Sequence, residues 1–156
     1  MMNTMLLKDE VQSLKQVPLF AGIPPAKLKL LAFTSDRVSY GAGEVLFRQG
    51  DVGDAAYVIL SGSAEILADS PNGPIKITEL GTNSIVGEIA ILCDGVRTAT
   101  VMAAMPMEAL RIRKEIFLKM LADFPEITIE VLRVLAERLS HTTSELTEAR
   151  SRQRNS

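Results

Sequence analysis

Apolar and polar positions change rhythm twice along the chain. Residues 5–16, with Met5, Leu6, Leu7 and Leu14, predict a short helix that Val17-Pro18-Leu19-Phe20 breaks. Pro24-Pro25 restarts a helix running to Phe33, with proline in the first turn and leucines at helical spacing. From Arg37 to Arg113 the period shortens. Arg37–Tyr40, Glu44–Arg48, Ala56–Leu60, Ala64–Ala68, Ile75–Leu80, Ala99–Ala103 and Met107–Arg113 are β-favouring runs. Between them lie Gly41-Ala42-Gly43, Gly50-Asp51-Val52-Gly53-Asp54, Ser61-Gly62-Ser63 and Gly81-Thr82-Asn83, rich in residues that suit turns. Short strands spaced by about 8–12 residues predict a sandwich, roll or barrel. Pro71-Asn72-Gly73-Pro74 predicts a hairpin tip with a primed turn at Asn72-Gly73.

Beyond Arg113 the helical period returns. Lys114–Asp123 predicts one helix, and Phe124-Pro125-Glu126 opens a longer one to about Arg150. In it Leu132, Leu135, Leu139, Thr142 and Leu146 form a heptad seam, and Ile127, Val131 and Val134 form a second stripe. Two stripes suit a helix that covers the β-rich part with one face and meets a second copy with the other. The alternative is a helix buried on both faces. The tail after Arg150 is polar and reads as frayed.

Composition sharpens this division. All ten glycines fall between Gly22 and Gly95, so the last 61 residues contain none. A chain of 156 residues fits one domain with a helical extension. With 17 basic and 19 acidic residues, it lacks the basic footprint of a nucleic-acid-coating protein. One cysteine, Cys93, cannot make an internal disulfide, which fits a cytoplasmic setting. It is expected to be a small buried hydrophobe. One histidine, His141, excludes multi-histidine metal centres, and no metal is expected. The first ten residues lack the pattern of a secretory signal. The longest uncharged runs, such as Ala55–Ala64, are too short to cross a bilayer.

The candidate chemistry lies in Val86-Gly87-Glu88-Ile89-Ala90-Ile91-Leu92-Cys93-Asp94-Gly95-Val96-Arg97-Thr98-Ala99-Thr100-Val101. Glu88 and Arg97 stand in otherwise apolar surroundings, where either charge alone is costly to bury. Glu88–Leu92 can form one helical turn after Gly87, and N–H groups at a helix start favour an anion. Arg97 offers a planar cationic fork suited to phosphate, and Thr98 adds a hydroxyl. Glu88 accepts hydrogen bonds only, so beside a phosphate it suits a sugar hydroxyl. A sugar-phosphate pocket is one reading; a core ion pair between Glu88 and Arg97 is the other.

Gly87-Glu88-Ile89-Ala90, then six residues, then Arg97-Thr98-Ala99-Thr100-Val101 resembles the phosphate-binding cassette of the cyclic nucleotide-binding domain family. Pro18-Leu19-Phe20, Gly41–Asp51 and Tyr57–Ser63 match the family's other hallmarks in order, and the resemblance spans residues 17–146. Val86 stands where the family usually has Phe, and Val96 where it usually has Pro.

The resemblance implies a mainly β fold with α-helices (α+β). Its centre is an eight-stranded β-roll of the double-stranded β-helix or jelly-roll type. It implies an N-terminal helical segment (1–36), a roll (37–113) with cassette 86–100, and lid and dimer helices (114–150), while the polar residues 151–156 read as a disordered tail. It implies that Glu88 takes a ribose 2′-hydroxyl and Arg97 the cyclic phosphate, with Gly87, Ile89, Ala90, Thr98 and Ala99 around them. The last helix is similar to that of catabolite activator-type regulators, which implies ligand contacts from Arg138, Thr142 and Thr143. Any aliphatic cap falls to Leu135 or Leu139, because no aromatic residue follows Phe124.

The implied activity is non-enzymatic sensing of cAMP in preference to cGMP. The implied partners are a second copy through helix 125–150 and an unidentified downstream protein. Only a few polar residues follow Arg150, so DNA binding by this chain alone is not expected. The competing expectation is a fold of this type that has lost its ligand and serves as an interaction domain.

Overall fold

The computed structural model describes residues 2–93, 95–133 and 135–137. Helix α1 (Met2–Gln16) leads through a single tight turn, Pro18–Phe20, into α2 (Pro25–Thr34). Six strands follow: β1 (Asp36–Tyr40), β2 (Val45–Phe47), β3 (Ala55–Ser61), β4 (Ala64–Ala68), β5 (Ile75–Leu80) and β6 (Ile85–Val86). The short α3 (Glu88–Leu92) precedes β7 (Thr100–Ala103), β8 (Met107–Arg113) and α4 (Lys114–Asp123). Residues 125–133 and 135–137 are helical.

The eight strands make two antiparallel four-stranded sheets, ordered β1-β8-β3-β6 and β2-β7-β4-β5. This is the eight-stranded roll expected from the sequence. Its interior is mostly small and aliphatic: Ala55, Ile59, Val86, Val101, Ala103, Met107 and Ala109 pack together with Tyr57. A second cluster covers the outer face of the first sheet. There Ala56, Val58, Leu110 and Ile112 meet Leu14, Phe20, Leu28, Phe117, Ile127 and Val131 from the helices. Strand β3 feeds both clusters, which explains its unbroken run of five buried residues, Ala55 to Ile59. The Phe20 and Phe117 rings, 6.3 Å apart and tilted by 59°, lock the N-terminal turn onto α4.

Three details depart from the sequence reading. Strand β6 was not among the predicted runs; its two residues, Ile85 and Val86, continue into the apolar stretch that becomes α3. The tip between β4 and β5 is not a primed turn. Gly73 N–H donates to Ser70 C=O over 3.0 Å, and only Gly73 takes positive φ there. Ser70-Pro71-Asn72-Gly73 carries the residues a type I turn prefers. Cys93 is exposed rather than buried, because it caps the end of α3 beyond Ala90 and Ile91, which face inward.

Of the two stripes on the last helix, Ile127 and Val131 are core residues, and Leu135 packs half-buried against the same cluster. Leu132 of the seam is 62% exposed. Val134 and the seam positions Leu139, Thr142 and Leu146 lie outside the described residues.

Phe117→Ala is expected to cost about 3–5 kcal/mol in urea unfolding, because the ring is fully buried and its loss leaves a cavity. A loss below about 1 kcal/mol would mean that α4 does not fold as one unit with the roll.

Candidate functional site

The site starts at the corner between β6 and α3. Gly87 takes φ +84°, the left-handed conformation that lets the chain turn directly from strand into helix. A Cβ there would lie 2.5 Å from Arg97 Nη1 and 3.2 Å from the Phe47 ring, so the position also needs the missing side chain. Beneath α3, a Cβ on Gly53 would lie 2.5 Å from the Ala90 Cβ, so the 50–54 loop lies hard against the helix.

That loop also fixes the backbone of Arg97. Arg97 N–H donates to Asp51 C=O (2.7 Å), Gly50 N–H donates to Arg97 C=O (2.9 Å), and Val52 bridges Val96. The arginine side chain then turns inward and is 1% exposed. Nη1 donates to the Gly87 carbonyl (2.8 Å), and Nη2 donates to the Ala55 carbonyl (2.7 Å) and to Asp54 Oδ1 (3.3 Å). The guanidinium carbon sits 3.9 Å from the centre of the Phe47 ring, within cation–π range.

Asp54 is shared. Its second oxygen accepts from Arg111 Nη2 at 3.1 Å, and Arg111 in turn reaches Asp36 at 3.6 Å. Burial pushes the Arg97 pKa down, with Tyr57 and Asp54 acting in the opposite sense. At Arg111 burial also lowers the pKa, but Tyr57 and Asp54 outweigh it and hold the group above its ordinary value. Tyr40 is pushed up to about 12, first by burial and then by Tyr57.

Gly87, Glu88, Ile89, Ala90, Arg97, Thr98 and Ala99 all line one cavity of about 300 Å³. Phe47, Ile66, Leu80, Ile85, Val86 and Val101 complete its walls. This is the small end of the range for ligand pockets. Glu88 is buried, 3% exposed, and the ionic partner the structure gives Arg97 is Asp54. Leu135 packs on the helical cluster and is not among the cavity-lining residues. Arg138, Leu139, Thr142 and Thr143 lie outside the described residues.

Sequence reasoning missed Phe47, Asp54 and the Ala55 carbonyl as partners of Arg97. They lie 42–50 residues away, and of the three only Phe47 stands in a segment that matches a family hallmark, Gly41–Asp51. Among the described residues, no group of three or more His, Cys, Asp or Glu side chains could hold a metal ion. No described helix is long and apolar enough to cross a membrane.

A two-sheet roll with a short helix and a buried arginine around one cavity defines the cyclic nucleotide-binding class of fold. Residues 37–124 match the model of the cyclic nucleotide-binding domain, and the chain belongs to that family. It is 31% identical over 139 residues to a CRP-like cAMP-activated global transcriptional regulator of Mycobacterium tuberculosis. That match takes in 88% of this chain and 61% of the regulator, so the chain spans under two thirds of its relative. Solved structures share the fold. The sensor domain of the transcriptional regulator DNR from Pseudomonas aeruginosa superposes with a TM-score of 0.79 and 26% identity, covering 90% of this chain and 95% of that one. Thermus thermophilus catabolite activator protein gives 0.76 and 30% identity over 83% of this chain and 61% of its own.

Gly87→Ala should cost at least about 1–2 kcal/mol from the left-handed backbone alone, read by urea unfolding. A loss under about 0.5 kcal/mol would show that the corner relaxes freely and does not fix Arg97.

Proposed function

We propose that this chain is a non-enzymatic cyclic nucleotide sensor that prefers cAMP to cGMP and passes its signal to a partner protein through the helices after residue 113. The observation that carries this reading is the meeting of Arg97 and Glu88, one permanent cation and one acceptor, on the same cavity wall. A guanidinium has five N–H donors, and the three acceptors Gly87, Ala55 and Asp54 leave others for a phosphodiester. A cyclic phosphate carries one negative charge, so a single arginine neutralises it. Glu88 takes the ribose 2′-hydroxyl, and Thr98 supplies a hydroxyl beside the phosphate.

Preference for adenine rests on the resemblance that assigns Thr142 and Thr143 to the base, with Arg138 near the ligand and Leu135 or Leu139 as cap. In this structure Leu135 belongs to the helical cluster, so capping requires the last helix to swing toward the roll. Ile91 links the two places. It lies in the helical cluster, while Glu88, Ile89 and Ala90 of the same short helix line the cavity. Ligand that binds one position of α3 better than another shifts the helices with it. Dimerisation through helix 125–150 and a cytoplasmic setting complete the proposal.

A second reading has its own observation. The Arg97 fork is already held by two carbonyls, a carboxylate and a ring, as in a fold that keeps the arginine only for structure.

Titration calorimetry decides between them. Wild type is expected to bind cAMP, and Arg97→Ala to weaken it by about 2–5 kcal/mol, the cost of removing one partner of a desolvated charge pair. Glu88→Gln should weaken cAMP more than its 2′-deoxy analogue. No heat and no thermal stabilisation with cAMP or cGMP at millimolar concentration would overturn the sensor reading. Equal losses for the two analogues would detach Glu88 from the ribose.

A further inference from the structure

We infer that α2 and the grooves on either side of it form a docking surface for an acidic amphipathic helix of a partner protein. This goes beyond the nucleotide site and does not depend on it. Helix α2 is apolar on both sides. Leu28, Leu31 and Ala32 face the core, while Leu30 is 57% and Phe33 77% exposed. An outward phenylalanine and leucine one turn apart are an apolar stripe that folding alone leaves uncovered.

The flanking surface is concave and basic. Between α1 and α2 runs a groove of about 480 Å³, walled by Val11, Pro25, Ala26 and the stems of Lys8, Lys15 and Lys29. Between α2 and α4 runs a second of about 400 Å³, floored by Leu30, Ile116, Met120 and Phe124 and edged by Lys27 and Lys119. Asp123 is the one acid among these lining residues. From residue 11 to residue 35 the sequence holds no Asp or Glu, although the chain as a whole has net charge −2. Among the described residues none of the five lysines pairs with a carboxylate. Lys27 instead lies 5.8 Å from the centre of the Phe124 ring.

Charge and shape together select the occupant. Five lysines without carboxylates ask for an acidic ligand, and apolar grooves beside an apolar ridge ask for side chains that interdigitate. An amphipathic helix with leucines at i, i+3, i+4 and i+7 and carboxylates on its flanks meets both demands. A bilayer surface is flat and would leave the grooves unfilled. A second copy meeting this surface two-fold would set lysines against lysines.

The probe is a fluorescein-labelled helical peptide of roughly 18 residues with that leucine spacing and glutamates elsewhere, read by anisotropy on the nucleotide-free full chain. Its control keeps the leucines and replaces glutamate by lysine. The glutamate peptide is expected to bind, and the lysine peptide to bind at least about tenfold more weakly. The exposed pair Leu30→Ser/Phe33→Ser should lose at least about tenfold, as should Lys15→Glu/Lys29→Glu, with unchanged circular dichroism. Amide shifts on adding peptide should centre on residues of α1, α2 and α4.

No binding at about 1 mM, equal binding of both peptides, or shifts elsewhere would overturn the proposal. So would co-sedimentation with phosphatidylcholine–phosphatidylglycerol vesicles without peptide binding, which would make the surface a membrane contact. A concentration-dependent mass in light scattering that Leu30→Ser/Phe33→Ser abolishes, again without peptide binding, would give it to a second copy.

Discussion

One buried cation organises the roll. Arg97 lies almost wholly out of water, and an uncompensated charge there would cost several kcal/mol. Its compensation comes from four places in the chain: the ring of Phe47 at the end of β2, the carboxylate of Asp54, the carbonyl of Ala55 at the start of β3, and the carbonyl of Gly87 at the β6–α3 corner. Phe47 belongs to one sheet and Ala55 to the other, so the guanidinium is satisfied only when both sheets are in place. The same geometry explains why Gly87 has no side chain and why the 50–54 loop must touch α3. Asp54 is 64% exposed, so water screens its share, and the two carbonyls hold the fork more firmly than the carboxylate does.

What the sequence reveals and what it hides follow from the range of each interaction. Strands β3, β4, β5 and β8 were legible because alternation or an unbroken apolar run marks them locally, and their observed bounds differ from the predicted ones by at most one residue. Gly87, Glu88 and Arg97 were legible because a glycine beside an isolated acid, with an isolated base nearby, is rare in an apolar segment. Strand β6 was not, since two residues carry no period. The partners of Arg97 were hidden for a different reason: a carbonyl belongs to every residue, and nothing in Ala55 marks its oxygen as an acceptor. Cys93 was misread because free cysteine is among the most often buried residue types, whereas here it stands at the end of a short helix that buries only part of its circumference.

The two apolar clusters meet in two elements. Strand β3 sends Ala55, Tyr57 and Ile59 into the roll and Ala56 and Val58 toward the helices. Helix α3 gives Ile91 to the helical cluster and three residues to the cavity. The two elements differ in how firmly they are held. Strand β3 pairs with β8 over most of its length and with β6 at its centre. Helix α3 is a single turn, held at its ends by the Gly87 corner and by the Gly95 N–H to the Ala90 carbonyl. Of the two, α3 is the element that can shift without breaking a sheet.

That difference bears on how a filled cavity would reach the exterior under the proposed function. An anion at Arg97 would take the N–H donors that the protein acceptors leave, and its charge would compete most directly with the weakest of those acceptors, the screened Asp54. Asp54 also holds Arg111 on β8, the strand that runs directly into α4 at Lys114. Release of Asp54 would therefore act on the first sheet at the point where the helices leave it, while Ile91 acts on the cluster those helices share. Both routes end on α4, and α4 forms one wall of the groove beside Leu30. Under the proposed function, a ligand that repositioned α4 by either route would change the width of that groove, and nucleotide occupancy would then reach the α2 surface through a single ten-residue helix.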